Sequence, residues 1–193
     1  MPPKARITRD MILDAAFDLV RAEGHEALNV RTLAKRLGCS TQPILYNFAA
    51  VEELKDAVYQ RADEFHTAYI LPKGGEGADA LLELGLNYVR FGHEEKHLFR
   101  FLFESDRFGG MDFKGLLRWP GSDELVAILA EALGCGSAEA EKVFLTFFAV
   151  AHGLGSLLCN NAMEYDETEC AAMLETVFNG ALAALTSKGE EYA

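Results

Sequence analysis

The stretch from Thr8 to Leu54 constrains this chain more than any other, because short runs of helical apolar spacing alternate there with residues that start or stop helices. Thr8 is a fitting N-cap for a first helix that reaches Glu23, and Gly24 ends it. Ile12, Leu13, Ala16, Phe17 and Val20 make one buried stripe along that helix. A second helix follows the cap Asn29, turns Val30, Leu33, Ala34 and Leu37 inward, and closes at Gly38, which supplies the positive φ of a tight turn. Ser40 is expected to cap a third, short helix with Pro43 in its first turn, anchored by Ile44, Leu45 and Phe48. Two short helices joined by so tight a turn form a helix-turn-helix, a motif whose second helix enters the major groove of DNA.

The rest of the chain reads as helices too. A fourth helix starts near Val51, favoured by Glu52 and Glu53 at its N-terminus, and runs to about Ile70. The segment Leu71–Ala78, with one proline and three glycines, is a loop. Further helices are expected over about 78–91, 94–105, 122–133, 138–161 and 166–187, with a glycine- and aromatic-rich segment, Asp106–Ser122, between the second and third. With 193 residues, 50% of them apolar, and only five prolines, the expectation is an all-α chain. It divides into a head over residues 1–50 and a helical body over 51–193.

Charge sharpens the division. The formal net charge is −12, yet residues 1–48 carry seven basic against five acidic side chains, leaving 11 and 25 for the remainder. A slightly positive head suits phosphate, and an acidic body discourages nonspecific adhesion. No stretch approaches the roughly 18 uninterrupted apolar residues of a membrane span, and MPPKARITRD lacks the apolar core of a signal peptide, so a cytoplasmic protein is expected. Cys39, Cys135, Cys159 and Cys170 are scattered, with no C-x-x-C pair, and read as small apolar residues; Cys39 alone falls in the turn of the motif.

Several marks together resemble the TetR family of bacterial one-component transcriptional regulators. They are Ile12–Ala16 (ILDAA), Gly24, Asn29–Ser40 (NVRTLAKRLGCS), Ile44–Phe48 (ILYNF) and Glu52–Leu54 (EEL), and they cover about the first quarter of the chain. The resemblance implies a homodimer, with the third helix as the recognition helix and a C-terminal body that binds a small apolar effector. Carried over residue by residue, it puts Thr41, Gln42, Pro43, Tyr46 and Asn47 on or beside the exposed face of that helix. Gln42 and Asn47 hold the paired donor and acceptor that read base edges, and Pro43 suits a thymine methyl. Arg31, Thr32 and Lys35 are expected near the phosphate backbone, with Arg6 and Arg9 on a basic N-terminal arm. Leu45 stands where family members often carry tyrosine. Ala49, Ala50 and Val51 replace flanking lysines, for which Lys55 is a partial substitute.

The resemblance also points to an effector pocket in the body. Its expected lining is Phe99, Phe103, Trp119, Phe144 and Phe148, with His152 and Asn160 as polar handles in an otherwise apolar helix. Small residues in the last two helices (Ala149, Ala151, Gly153, Gly155 and Ser156; Ala171, Ala172, Gly180, Ala181, Ala183 and Ala184) allow close helix packing. With Phe148, Met173, Leu174, Val177 and Phe178 they suit a four-helix interface between two subunits, or a tight pair within one.

An enzyme reading competes. His93-Glu94-Glu95-Lys96-His97 matches H-E-x-x-H, in which two histidines one helical turn apart bind zinc. A catalytic zinc needs a third protein ligand, and the segment reads instead as a solvated helix start with two exposed histidines. Lys73–Gly77 lacks the G-K-[ST] ending of a phosphate loop. No catalytic residue, metal or cofactor is expected. A helical ligand-binding protein that does not touch DNA is the other alternative, motivated by the acidic charge.

Overall fold

The computed structural model describes residues 7–74, 77–105, 110–113, 115 and 122–190, with backbone alone for 78 and 185–190. Among them are nine α-helices and no strand. They are α1 (Arg9–Glu23), α2 (Val30–Arg36), α3 (Gln42–Asn47), α4 (Val51–Ile70), α5 (Gly77–Glu94), α6 (Lys96–Phe103), α7 (Ser122–Leu133), α8 (Ser137–Asn160) and α9 (Glu167–Glu190). A 3-10 turn, His25–Ala27, separates α1 from α2. The chain gathers into two compact units, one of Met1–Ala68 with Glu95–Ser105, the other of Tyr69–Glu94 with Asp106–Ala193. These packing units are not a single cut near position 50, because α6 returns to the N-terminal unit.

In the N-terminal unit the helix ends follow local chemistry. The Thr8 hydroxyl accepts the Met11 N–H at 3.2 Å, and Asn29 Oδ1 accepts the Thr32 N–H at 2.9 Å. Gly24 sits at φ 88°, where a side chain would both strain the backbone and press on the His97 ring. Ile12, Ala16, Leu19 and Val20 of α1 are buried, as are Leu33, Ile44, Phe48, Leu54 and Val58. Leu13 and Phe17 are only half-buried, and Leu19 belongs to the stripe that the spacing assigned without it. α6 completes this core with Leu98, Phe99, Phe101 and Leu102. Surface arginines then fasten it: Arg21 grips Glu95 with two nitrogens, Arg61 pairs with Asp14, and Arg36 reaches Glu23 at 3.7 Å.

The C-terminal unit depends on close approach of long helices. α8 packs against α5, α7 and α9. A Cβ on Gly92 of α5 would lie 2.8 Å from the main chain of Gly155 on α8, so the two backbones meet without side chains between them. Gly85 similarly leaves room for the Phe147 ring. The buried amide of Asn87 is paired at both ends. Asn87 donates to the Ile70 carbonyl at 3.3 Å and accepts from Arg90 at 3.0 Å, and Arg90 continues to Glu167 at 2.9 Å.

Four sequence expectations change here. Ser40 does not cap α3. The N-cap is Thr41, with no side-chain cap bond, because a Ser40-capped helix would place Pro43, which has no N–H, where the capping donor belongs. Leu45 is not an anchor but 52% exposed. Ala151, Gly155, Leu174 and Phe178 are buried within the subunit, so they serve the tight internal packing rather than an outer face. The H-E-x-x-H spacing does not lie on one helix. α5 ends at Glu94, Glu95 leaves helical geometry at φ −112° and ψ 48°, and α6 begins at Lys96. His93 therefore ends a helix, half-buried and stacked on Tyr165 with centroids 4.9 Å apart, rather than opening a solvated one. An 18-residue window of α8 has a mean hydropathy of 1.6, enough by length and composition alone to cross a membrane, although the sequence has no uninterrupted apolar run of that size.

Candidate nucleic-acid interface

The turn between α2 and α3 is built from main-chain hydrogen bonds. The Cys39 N–H donates to the Ala34 carbonyl at 3.0 Å and the Gly38 N–H to the Lys35 carbonyl at 3.2 Å, the paired bonds of a Schellman helix end. Gly38 takes φ 62° with open space around a would-be Cβ, so glycine serves the backbone there and not the packing. The chain leaves this turn directly into α3.

Six residues are too few for a helix to persist alone, and the neighbours of α3 hold it in place. Ile44 and Phe48 are each 1% exposed and fix its inner side. Asn47 Nδ2 donates to the Pro43 carbonyl at 2.7 Å. Beyond its C-terminus, Glu53 of α4 accepts the Ala49 N–H at 2.8 Å and pairs with Arg9 at 3.1 Å. The Ala49 amide and then the Arg9 guanidinium hold the Glu53 carboxyl below the usual carboxylate range. Arg9 also lies over the Phe48 ring, 4.4 Å from its centroid.

What remains outward is an amide, a phenol and an aliphatic side chain. Gln42 is exposed, Tyr46 is 83% exposed, and Leu45 lies beside them. Pro43, Thr41 and Asn47 are half-buried at the edges of this face. On α2, Arg31 and Lys35 are exposed one turn apart, while Thr32 is half-buried with its N–H used by the Asn29 cap. Lys55 is half-buried on α4. Arg6 lies outside the described residues. Arg9 belongs to the first turn of α1 rather than to an arm, and its charge is shared with Glu53. Leu45 is the exposed member that spacing alone missed.

The residues expected around an effector divide between the units. Phe99 is buried and Phe103 half-buried in the N-terminal unit, their rings 5.2 Å apart, and His66 meets Phe103 at 4.9 Å. Burial lowers His66 to a pKa of about 4. In the C-terminal unit Phe144 and Phe148 stack at 6.2 Å, and His152 follows Phe148 at 5.9 Å. His152 Nδ1 and the Tyr88 hydroxyl are 2.9 Å apart. Tyr88, absent from the sequence expectation, thus joins the polar centre of this aromatic group. Asn160 is exposed at the end of α8, donating to the Ser156 carbonyl at 3.1 Å. Trp119 lies outside the described residues. A groove of about 190 Å³ between α5 and α9, lined by Leu82, Glu83, Leu86, Ala171, Leu174 and Glu175, includes none of the expected residues.

No protein-family model matches the chain. It is 31% identical over 78 residues to the class D tetracycline repressor of Escherichia coli, a match covering 40% of this chain. The chain spans only 36% of that repressor's length. Over 170 residues it is 26% identical to an uncharacterised HTH-type transcriptional regulator of Mycobacterium tuberculosis, covering 86% of this chain and 76% of the regulator. In structure it is similar to a TetR-like transcriptional regulator from Rhodococcus sp. RHA1, with a TM-score of 0.65, 17% identity and coverage of 95% and 98%. It is similar also to TetR from Acinetobacter baumannii AYE in complex with minocycline, with a TM-score of 0.59, 18% identity and coverage of 94% and 97%. These relatives are regulators and not enzymes. By sequence over its matched residues and by its fold, the chain is similar to TetR-like transcriptional regulators.

Proposed function

We propose that this protein is a cytoplasmic repressor that binds a palindromic DNA operator as a homodimer and releases it when a small apolar effector binds. The observation that carries the reading is the outward face of α3, where Gln42 and Tyr46 stand free of the core beside the exposed cations Arg31 and Lys35 of α2. The cations position the motif on phosphates, and Gln42 supplies a donor and an acceptor for a base edge. Asn47 reads by exchanging its bond to the Pro43 carbonyl for one to a base.

A dimer is supported by the other side of α8 and α9. Ala149, Leu157, Ala172 and Met173 are exposed there, and Gly153 and Gly180 have open space where a side chain would stand. This face is apolar and small enough for helices of a second subunit to pack closely. Two subunits then present α3 to successive major grooves roughly 34–36 Å apart. The effector reading is supported by Phe144, Phe148, Tyr88 and His152, an apolar wall with one polar pair, and by the minocycline complex of the Acinetobacter relative. Effector binding favours a dimer state with another head spacing and draws the population off DNA.

The test is selection of binding sites from random duplex DNA by the purified protein, repeated with Gln42→Ala and Asn47→Ala. A palindromic consensus that relaxes in the variants is expected. Absence of any enriched site at low salt overturns the reading and leaves a helical ligand-binding protein, in keeping with the net charge of −12.

A further inference from the structure

Leu45 is turned out of the core by the helix that carries it. It is 52% exposed, whereas Ile44 and Phe48 on the inner side are each 1% exposed. A lone surface leucine is ordinary. This one adjoins Tyr46 on the outward face of a six-residue helix, with Gln42 on the same face and the exposed cations Arg31 and Lys35 on the preceding helix. The cations favour a polyanionic partner, and an isobutyl group cannot read hydrogen-bond donors or acceptors. The major groove offers it one apolar feature, the C5-methyl of thymine.

We infer that Leu45 reads a thymine methyl in each operator half-site and is a specificity-determining residue of this chain. The inference rests on the DNA-binding reading above and deepens it. It assigns the methyl to Leu45 rather than to Pro43, which is half-buried at the edge of the face. Contact with the methyl removes water from both surfaces at once and leaves no polar group unpaired.

The experiment uses the operator duplex obtained by selection, with its thymines replaced one position at a time by uracil, which lacks only the methyl. At one thymine per half-site, affinity is expected to fall about fourfold, and about fifteenfold with both half-sites replaced, the transfer value of a buried methyl. With Leu45→Ala the same replacements are expected to change affinity less than about 1.5-fold, as a coupled pair requires. Leu45 is exposed, so circular dichroism melting should match the parent protein and exclude misfolding. An operator indifferent to every uracil overturns the inference, as does a methyl dependence that survives Leu45→Ala. If that dependence instead disappears in Pro43→Ala, the methyl belongs to Pro43 and the inference also falls. Each of these outcomes keeps the DNA-binding reading intact, whereas failure to select any operator removes both.

Discussion

Among the described residues, four of the five ion pairs lie in the N-terminal unit, each between an arginine and a carboxylate from another helix or turn. Among the described residues the C-terminal unit has one, Arg90 with Glu167, and it brings Gly92 against the main chain of Gly155. Exposed pairs contribute little each and tolerate loss. A glycine contact between two helix backbones has no slack. The difference teaches where each unit is sensitive, the first in its buried anchors and helix ends, the second in the spacing of α5 and α8.

The largest effect is expected from Gly92→Ala. Its Cβ would fall 2.8 Å from Gly155 main-chain atoms, which cannot rotate away as a side chain can. A destabilisation of about 3 kcal/mol is expected, lowering the melting temperature by about 6–12 °C in calorimetry. An unchanged melting temperature would show that the helices separate freely and would erase the contrast between the units.

The next effect tests the N-terminal core. His66 is buried and neutral, with a pKa lowered to about 4 by its burial. The unfolded chain takes up a proton near pH 6.5 and the folded chain does not, so this contribution to stability is complete above that pH and is lost as pH falls toward about 4. The loss is roughly 2 kcal/mol by about pH 5. Urea denaturation at about pH 7.5 and about pH 5, in parallel with His66→Leu, isolates this contribution. Equal pH slopes in the two proteins would refute the assignment.

The smallest effect compares two helix ends spelled alike. Leu37-Gly38-Cys39 closes α2 and Leu133-Gly134-Cys135 closes α7, with φ of 62° and 61° at the glycines and matching bonds from Cys39 to Ala34 and from Cys135 to Ala130. Neither glycine has a neighbour within 4 Å of a would-be Cβ. Gly38→Ala and Gly134→Ala should therefore each cost about 1 kcal/mol, the backbone penalty alone. Clearly unequal losses would mean that tertiary strain, not local geometry, sets one of them.

That pair also explains what was legible in the sequence. Thr8, Asn29, Gly24 and Gly38 act through bonds to residues three to five positions away, so their roles can be read from order alone. Leu45 could not be oriented this way, because six residues make fewer than two turns and leave the apolar period undetermined. α8 is apolar on several sides, so nothing in its spacing separates Gly155, turned inward, from Gly153, turned outward. The return of α6, with Phe99 and Phe103, to the N-terminal unit is a tertiary event with no local mark. The H-E-x-x-H match failed for a related reason: its meaning depends on an unbroken helix, and the helix breaks at Glu95.

The anchoring of α3 has a consequence for how such a chain changes over time. Ile44, Phe48, Arg9 and Glu53 anchor the helix, while Gln42, Leu45 and Tyr46 are exposed on it. On the proposed reading, the positions that hold and the positions that read are separate residues. Substitutions at the reading positions can thus accumulate with little selection from stability, and a duplicated gene could drift toward a new operator while its product continues to fold.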